Sequence, residues 1–417
     1  MKHLLILGAG TAGTIVANRM RRSLSKEWRV SVVDPSDTHL YQPGLLFLPF
    51  GAKDESELVR LRGDTLGSGV EWVRQGVERV EPEKNRVVLE DESVLDYDIL
   101  VIATGSQVRP DMTEGLVDKR WHKSISDFYT LQGSLALREM LAKFERGRLL
   151  VNIVEMPIKC PVAPLEFAFL ADAYFTERGI RNQVEIVYAT PLDGAFTRPI
   201  ASQRLGYLLE QKNIRVETEF AASSVDDGKN ALVSFDGRSL DFDMLVTIPT
   251  HTGADFIEPS GLGDELSFVP TDSRTLQAKG HNNIFVIGDA TDVPASKAGS
   301  VAHFEADGMV INLERYIAGK PLEEEFDGHA NCFVETGHGK GMLIDFNYDV
   351  EPLPGKFPVP GIGPFSLLEE SRINHLGKLA FRWVYFNGLL PGKPMPMAAQ
   401  MSMLGKQVQE VESSITE

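Results

Sequence analysis

Cys160 and Cys332 are the only thiols in a chain of 417 residues. Cys160 stands in Lys159-Cys160-Pro161-Val162-Ala163-Pro164-Leu165-Glu166, just after Leu149 to Val154, an apolar run that reads as a buried parallel strand. Such a strand commonly leads into a glycine-rich turn whose N–H groups bind a pyrophosphate. Here Pro157 and Pro161 take that place; they lack N–H groups and their rings block a diphosphate. The lysine neighbour and the flanking prolines suggest a held, activated thiolate. The plain alternative is that both cysteines are buried hydrophobes. Two cysteines make no disulfide scaffold, so chemistry at the pair would be redox chemistry. Glu166 is a candidate proton carrier, though a carboxylate at a helix start also serves as a cap. His303 is a second candidate, with a structural role as its alternative.

A second set of residues points to phosphate binding. Gly8-Ala9-Gly10-Thr11-Ala12-Gly13 follows the apolar run Leu4 to Leu7 and precedes a helical stretch, Thr14 to Leu24. Gly8 permits the tight turn, Gly10 admits a pyrophosphate, and Gly13 lets helix pack on strand. A strand from Arg29 to Val33 ends at Asp34, 34 − 13 = 21 positions on, the spacing of a ribose-binding acid. Asp34 would accept from ribose hydroxyls and repel a 2′-phosphate. Tyr97 to Thr104 closes on Gly105, and Asn283 to Asp289 closes on Gly288-Asp289.

These elements imply an α/β chain with two Rossmann-like, doubly wound units and a C-terminal region. The first unit is split, residues 1–110 and 275–330. The second spans 111–274, with strands at Leu149 to Val154, Val184 to Tyr188 and Met244 to Ile248. The rest, 331–417, has a strand-like Met342 to Tyr348, a proline-rich run from Pro352 to Pro364 and helical signals from Leu367 on. Val411 to Glu417 reads as a frayed tail.

A net charge of −17 and a pI near 5.1 argue against nucleic acid as a partner. No secretory leader or spanning segment is visible, so a cytoplasmic origin and one-sided membrane contact are expected. No metal site is expected.

The motifs together resemble the sulfide:quinone oxidoreductases, a flavoprotein family related to flavocytochrome c sulfide dehydrogenase and type II NADH dehydrogenase. The resemblance rests on the glycine motifs, on Lys159 to Pro164 with Glu166, on Lys297 to Ala306, on Cys332, and on Asn374 to Leu390. It implies non-covalent FAD held by Gly8, Gly10, Ala12, Gly13, Asp34, Thr104, Gly105, Gly288 and Asp289, with Lys297 and Lys378 beside it. Asp289 would face the ribityl chain. It further implies that hydrosulfide attacks a Cys160/Cys332 disulfide or sulfur-bridged pair by thiol–disulfide exchange. One cysteine becomes a persulfide, and the other, as a thiolate, passes electrons to FAD. The chain departs from many bacterial members in lacking a third cysteine: Trp121 to Thr130 contains none. The loop His39 to Gly44 has no cysteine either, so a covalent flavin link there is excluded.

For the acceptor, Leu376 to Leu390 reads as a helix apolar nearly all round, with Lys378 and Arg382 in one basic stripe. It suits either a core or a membrane interface with the basic residues toward headgroups. Met395, Met397, Met401 and Met403 add a soft apolar surface. By resemblance, Phe346, Tyr385 and Phe386 would flank a quinone ring. The expected partners are sulfide, a membrane quinone and the lipid surface on the cytoplasmic face of the cell membrane; homo-oligomer formation is left open. Two competing readings are an NADH:quinone oxidoreductase, which needs the missing second glycine loop, and a flavin-bearing sulfur-transfer subunit with a protein acceptor.

Overall fold

The computed structural model describes residues 1–395 and 398–408. Met397 and the tail from Val411 lie outside the described residues. Three sheets carry the architecture. The first has five parallel strands in the order Ile284–Val286, Ile99–Ile102, Lys2–Leu7, Trp28–Val33, Glu71–Val73. The second has the order Ile125–Ser126, Met244–Ile248, Gly147–Ile153, Val184–Ala189, Ile214–Glu217, again all parallel. The central strands of both are buried along their length, as parallel strands covered on two faces must be. This is the doubly wound α/β class that the sequence implies. In each sheet the chain order reverses at the middle strand, Lys2–Leu7 in one and Gly147–Ile153 in the other. Such a reversal opens a crevice at the carboxyl end, where ligands bind in this class.

The third sheet joins Ala330–Gly337, Lys340–Phe346, Gly363–Leu367 and Gly355–Val359. Cys332 lies in Ala330–Gly337, opposite Ile344 of the glycine-containing strand Lys340–Phe346 that follows it. Within the proline-rich run, Gly355–Val359 and Gly363–Leu367 pair as an antiparallel hairpin. Pro358 falls on the outer strand, and Pro364 opposite it lies away from Leu367, the one point where its strand pairs with Lys340–Phe346. The C-terminal helix begins at Arg372, not near Leu367, because Ser371 caps it by accepting from Asn374 N at 3.0 Å.

Candidate functional site

The carboxyl end of the first sheet gathers the expected dinucleotide residues. The helix Thr11–Ser23 starts without a side-chain cap, leaving its first N–H groups for a ligand. Gly8 takes φ +93°, and a Cβ there would meet Ala103 O at 2.6 Å; one on Gly13 would meet Gly8 O at 2.0 Å. A Cβ on Gly10 would meet nothing within 4 Å, so the open side of the turn faces the crevice. Gly288 approaches Ala12 across the sheet, the Cβ position at 3.4 Å from the alanine methyl. Thr104 contributes a buried hydroxyl without a partner. An open glycine turn, an uncapped helix and an orphaned hydroxyl at one crevice fit a dinucleotide.

Asp34 accepts from Ala9 N at 2.7 Å, Ser36 N at 2.9 Å and Arg62 at 3.2 Å. Arg62 is buried, also donates to Ala9 O, and lies beside His39. The sequence reading missed it, since nothing in local spacing marks an arginine 28 positions beyond Asp34. Asp289 is held among cations: burial pushes its carboxyl up, while Lys297 and Lys159 oppose that. Lys297 donates to the carbonyls of Asp289 and Thr291.

At the carboxyl end of the second sheet the strand passes into the Cys160 loop, and the helix Ala163–Glu177 follows. Cys160 sits at φ +44°, a left-handed conformation that costs an ordinary residue about 1–2 kcal/mol. Three hydrogen bonds over-determine it. Cys160 N donates to Lys297 O at 2.6 Å, and Cys160 O accepts from Ala163 N at 2.9 Å and from the Tyr129 hydroxyl at 3.2 Å. Tyr129 comes from the very segment, Trp121 to Thr130, that lacks a cysteine.

Both cysteines are free thiols. The expectation that Lys159 activates Cys160 is corrected. The buried Lys159 ammonium is drawn to Asp289 and Asp127, and burial, then Glu166 and Cys332, push the Cys160 thiol well above its ordinary range. Lys378 is the cation that opposes this. Cys332, pushed up to about 11 by burial, has Ser300 Oγ at 3.9 Å.

Buried Glu166 and partly buried Lys378 form an ion pair whose charges act on both thiols. Glu166 also accepts from Glu335 N at 2.6 Å, and Lys378 donates to Phe333 O at 2.9 Å. One carboxylate oxygen, Glu166 Oε2, is buried without a partner. Lys378 thus contacts Glu166 and the backbone of Phe333, one residue after Cys332. His303 is buried with both ring nitrogens unpartnered and its imidazole pushed down by burial, 4.0 Å from Asp307.

Of the three aromatics, Tyr385 and Phe386 meet edge to face at 5.2 Å. The Tyr385 hydroxyl reaches Thr11 and His39, both at 2.7 Å. Phe346 lies apart from them, beneath the Arg198 guanidinium at 4.9 Å.

The C-terminal helix Arg372–Val384 reverses the expected orientation. It is amphipathic, not apolar all round, and its basic residues point inward: Lys378 to Glu166, Arg382 to Glu57 at 3.1 Å, and His375 to Glu335 at 2.9 Å. Its apolar face is exposed, with Leu376 60 % and Trp383 71 % accessible beside Ile373 and Leu379. Among the described residues no helix is long and apolar enough to cross a membrane, and no cluster of ligating side chains suits a metal.

Residues 2–140 match the family described as pyridine nucleotide-disulphide oxidoreductase. Over 94 % of its length the chain is 27 % identical to the mitochondrial sulfide:quinone oxidoreductase of Mus musculus, covering 86 % of that protein. It is 22 % identical to a type II NADH:quinone oxidoreductase of Staphylococcus aureus, over 85 % of this chain and 92 % of that one. The solved sulfide:quinone oxidoreductase of Aquifex aeolicus superposes with a TM-score of 0.77 at 17 % identity, covering 94 % of this chain and 92 % of the other. The chain is therefore an FAD-dependent flavoprotein oxidoreductase that resembles the sulfide:quinone oxidoreductases along nearly its whole length.

Proposed function

We propose that the protein oxidises sulfide to zero-valent sulfur at Cys160 and Cys332 and delivers the electrons, through FAD, to a membrane quinone. The observation that carries this is the position of Cys160: it occupies the crevice of the second sheet, with Cys332 and the Glu166–Lys378 pair brought in from other elements. FAD, held by Gly8, Gly10, Ala12, Gly13, Asp34, Thr104, Gly105, Gly288 and Asp289, would supply two-electron acceptance and transfer.

The residues of the chain do the rest. In the oxidised pair, hydrosulfide attacks one sulfur; the S–S bond breaks and the other cysteine leaves as a thiolate. Lys378 stabilises that thiolate, since a buried anion needs a partner. Glu166, with its unpartnered oxygen, takes the proton of the new persulfide. Tyr385 and Phe386 offer an aromatic wall for a quinone, and Phe346 would contact it only if the site extends toward Arg198. The exposed apolar face of the C-terminal helix, with Ile362 80 % accessible on the neighbouring hairpin, docks on lipid at the cytoplasmic face.

The NADH reading is disfavoured because Pro157 and Pro161 stand where a glycine turn would offer phosphate donors, and the N–H of Cys160 is spent on Lys297 O. Stopped-flow absorbance of the flavin after sulfide, and separately after NADH, tests the proposal. Bleaching by sulfide alone is expected; bleaching by NADH and not by sulfide would reject it.

A further inference from the structure

The exchange step leaves a proton to be moved. Written in full, HS⁻ and the oxidised pair RS–SR′ give RS–SH and R′S⁻, and the persulfide then loses H⁺. With the oxidised pair regenerated through FAD and quinone, the sum is HS⁻ + Q + H⁺ → S⁰ + QH₂. Glu166 can take the persulfide proton but is buried, so it needs a way out.

The Glu335 carboxylate lies close enough to act on the charge of both members of the Glu166–Lys378 ion pair. Glu335 is 1 % exposed on the Cys332 strand, and its own N–H holds Glu166. Its two carboxylate oxygens lie 3.0 and 2.9 Å from His375 Nδ1. His375 stands on the C-terminal helix with its side chain 24 % exposed, one turn before Lys378. The cluster holds two buried carboxylates, Glu166 and Glu335, with Lys378 against the first and His375 against the second. Arg372 lies one turn before His375 on the same helix, and Lys340 and Glu370, flanking the Gly341–Ser371 bridge beside the helix start, pair with each other at 3.9 Å.

We propose that His375 and Glu335 are the proton port of the sulfur site, carrying the persulfide proton from Glu166 to the surface. This rests on the proposed sulfide chemistry. The port opens on the inner edge of the helix whose outer face is apolar, so protons are exchanged beside the docking surface.

The test uses the intact flavoprotein. His375→Asn keeps a donor to Glu335 but cannot carry a proton; Glu335→Gln keeps the shape and loses the charge. Two readouts are taken: the rate of sulfide-driven flavin bleaching with its solvent isotope effect, and the alkylation rate of reduced Cys160, followed by peptide mass spectrometry between about pH 5 and 8, the range in which histidine titrates. Each variant should bleach about 10²-fold more slowly, the usual loss for a proton carrier, with a larger isotope effect. Added imidazole should restore His375→Asn and not Glu335→Gln. The wild-type alkylation profile should carry a step that both variants lack. Wild-type rates in both variants, or slowing without imidazole rescue and with the alkylation step intact, would overturn the port. Absence of sulfide bleaching in the wild type would reject the sulfide reading instead, and the alkylation step would still decide whether His375 is coupled to Cys160.

Discussion

The two crevices of this protein are built on the same plan and filled in opposite ways. In each, a central parallel strand ends at a reversal of strand order, and a helix starts just beyond. After Leu7 the turn is glycine, open at Gly10 and followed by an uncapped helix. After Ile153 the turn is proline and cysteine, and its one well-placed N–H, that of Cys160, is spent on Lys297 O. The difference lies in what the backbone presents: one turn offers donors to a phosphate, the other locks them and offers a sulfur. A doubly wound sheet supplies a position; the turn decides whether that position is left open or filled by a thiol.

The sharpest way to break this comparison is to remove the sulfur. Cys160→Ser and Cys332→Ser should each lower sulfide-driven quinone reduction by about 10⁴-fold or more, as when a covalent relay loses a member. The flavin spectrum should stay nearly normal. Turnover normalised to bound flavin decides: a variant keeping above about a tenth of the wild-type rate marks that cysteine as structural. Next in size is nucleotide discrimination. NADH at about 1 mM, the top of ordinary KM values, should leave the band near 450 nm unbleached on the timescale of sulfide reduction. Glu166→Gln should slow sulfide bleaching by about 10²-fold and leave FAD content unchanged, which would place its role on the sulfur side.

A smaller effect concerns acidity. Cys332 is pushed up to about 11 and Cys160 is pushed further by burial, so bimane labelling of the reduced protein should climb about tenfold per pH unit between roughly 7 and 10. The folded protein holds the Cys332 proton above the ordinary value of 9.0. The unfolded chain therefore loses it first, and stability falls as pH rises from 9.0 toward about 11. The smallest effect is expected outside both crevices. Leu376→Glu with Trp383→Ser should weaken binding to anionic vesicles by about 10- to 100-fold, from lost apolar burial, with sulfide bleaching in solution unchanged; co-sedimentation measures it.

What the sequence discloses follows from range. The dinucleotide turn is legible because its requirements are local: a tight turn at Gly8, an open Gly10, a close contact at Gly13. The loop that replaces its counterpart is legible for the same reason, since proline announces itself. The electrostatics of the thiol are not legible. Lys159 is adjacent to Cys160 in sequence, yet its charge answers Asp289, while the cation that matters, Lys378, arrives with a helix 212 positions beyond Glu166. Periodicity also could not tell which side of the C-terminal helix faces in. Lys378, Arg382 and His375 make a polar stripe on any reading; only the buried carboxylates Glu166 and Glu335 and the half-buried Glu57 turn it toward the protein.

That inverted helix ties assembly to place. Lifting it away would strand Glu166 and Glu335 without their counter-charges, so the body holds it by its polar side, while water penalises its other side. A bilayer removes the penalty without touching the grip. The enzyme in solution and the enzyme on a membrane should then differ less in shape than in cohesion, with hydrogen exchange across residues 330–390 slowing on vesicles while the dinucleotide crevice exchanges as before.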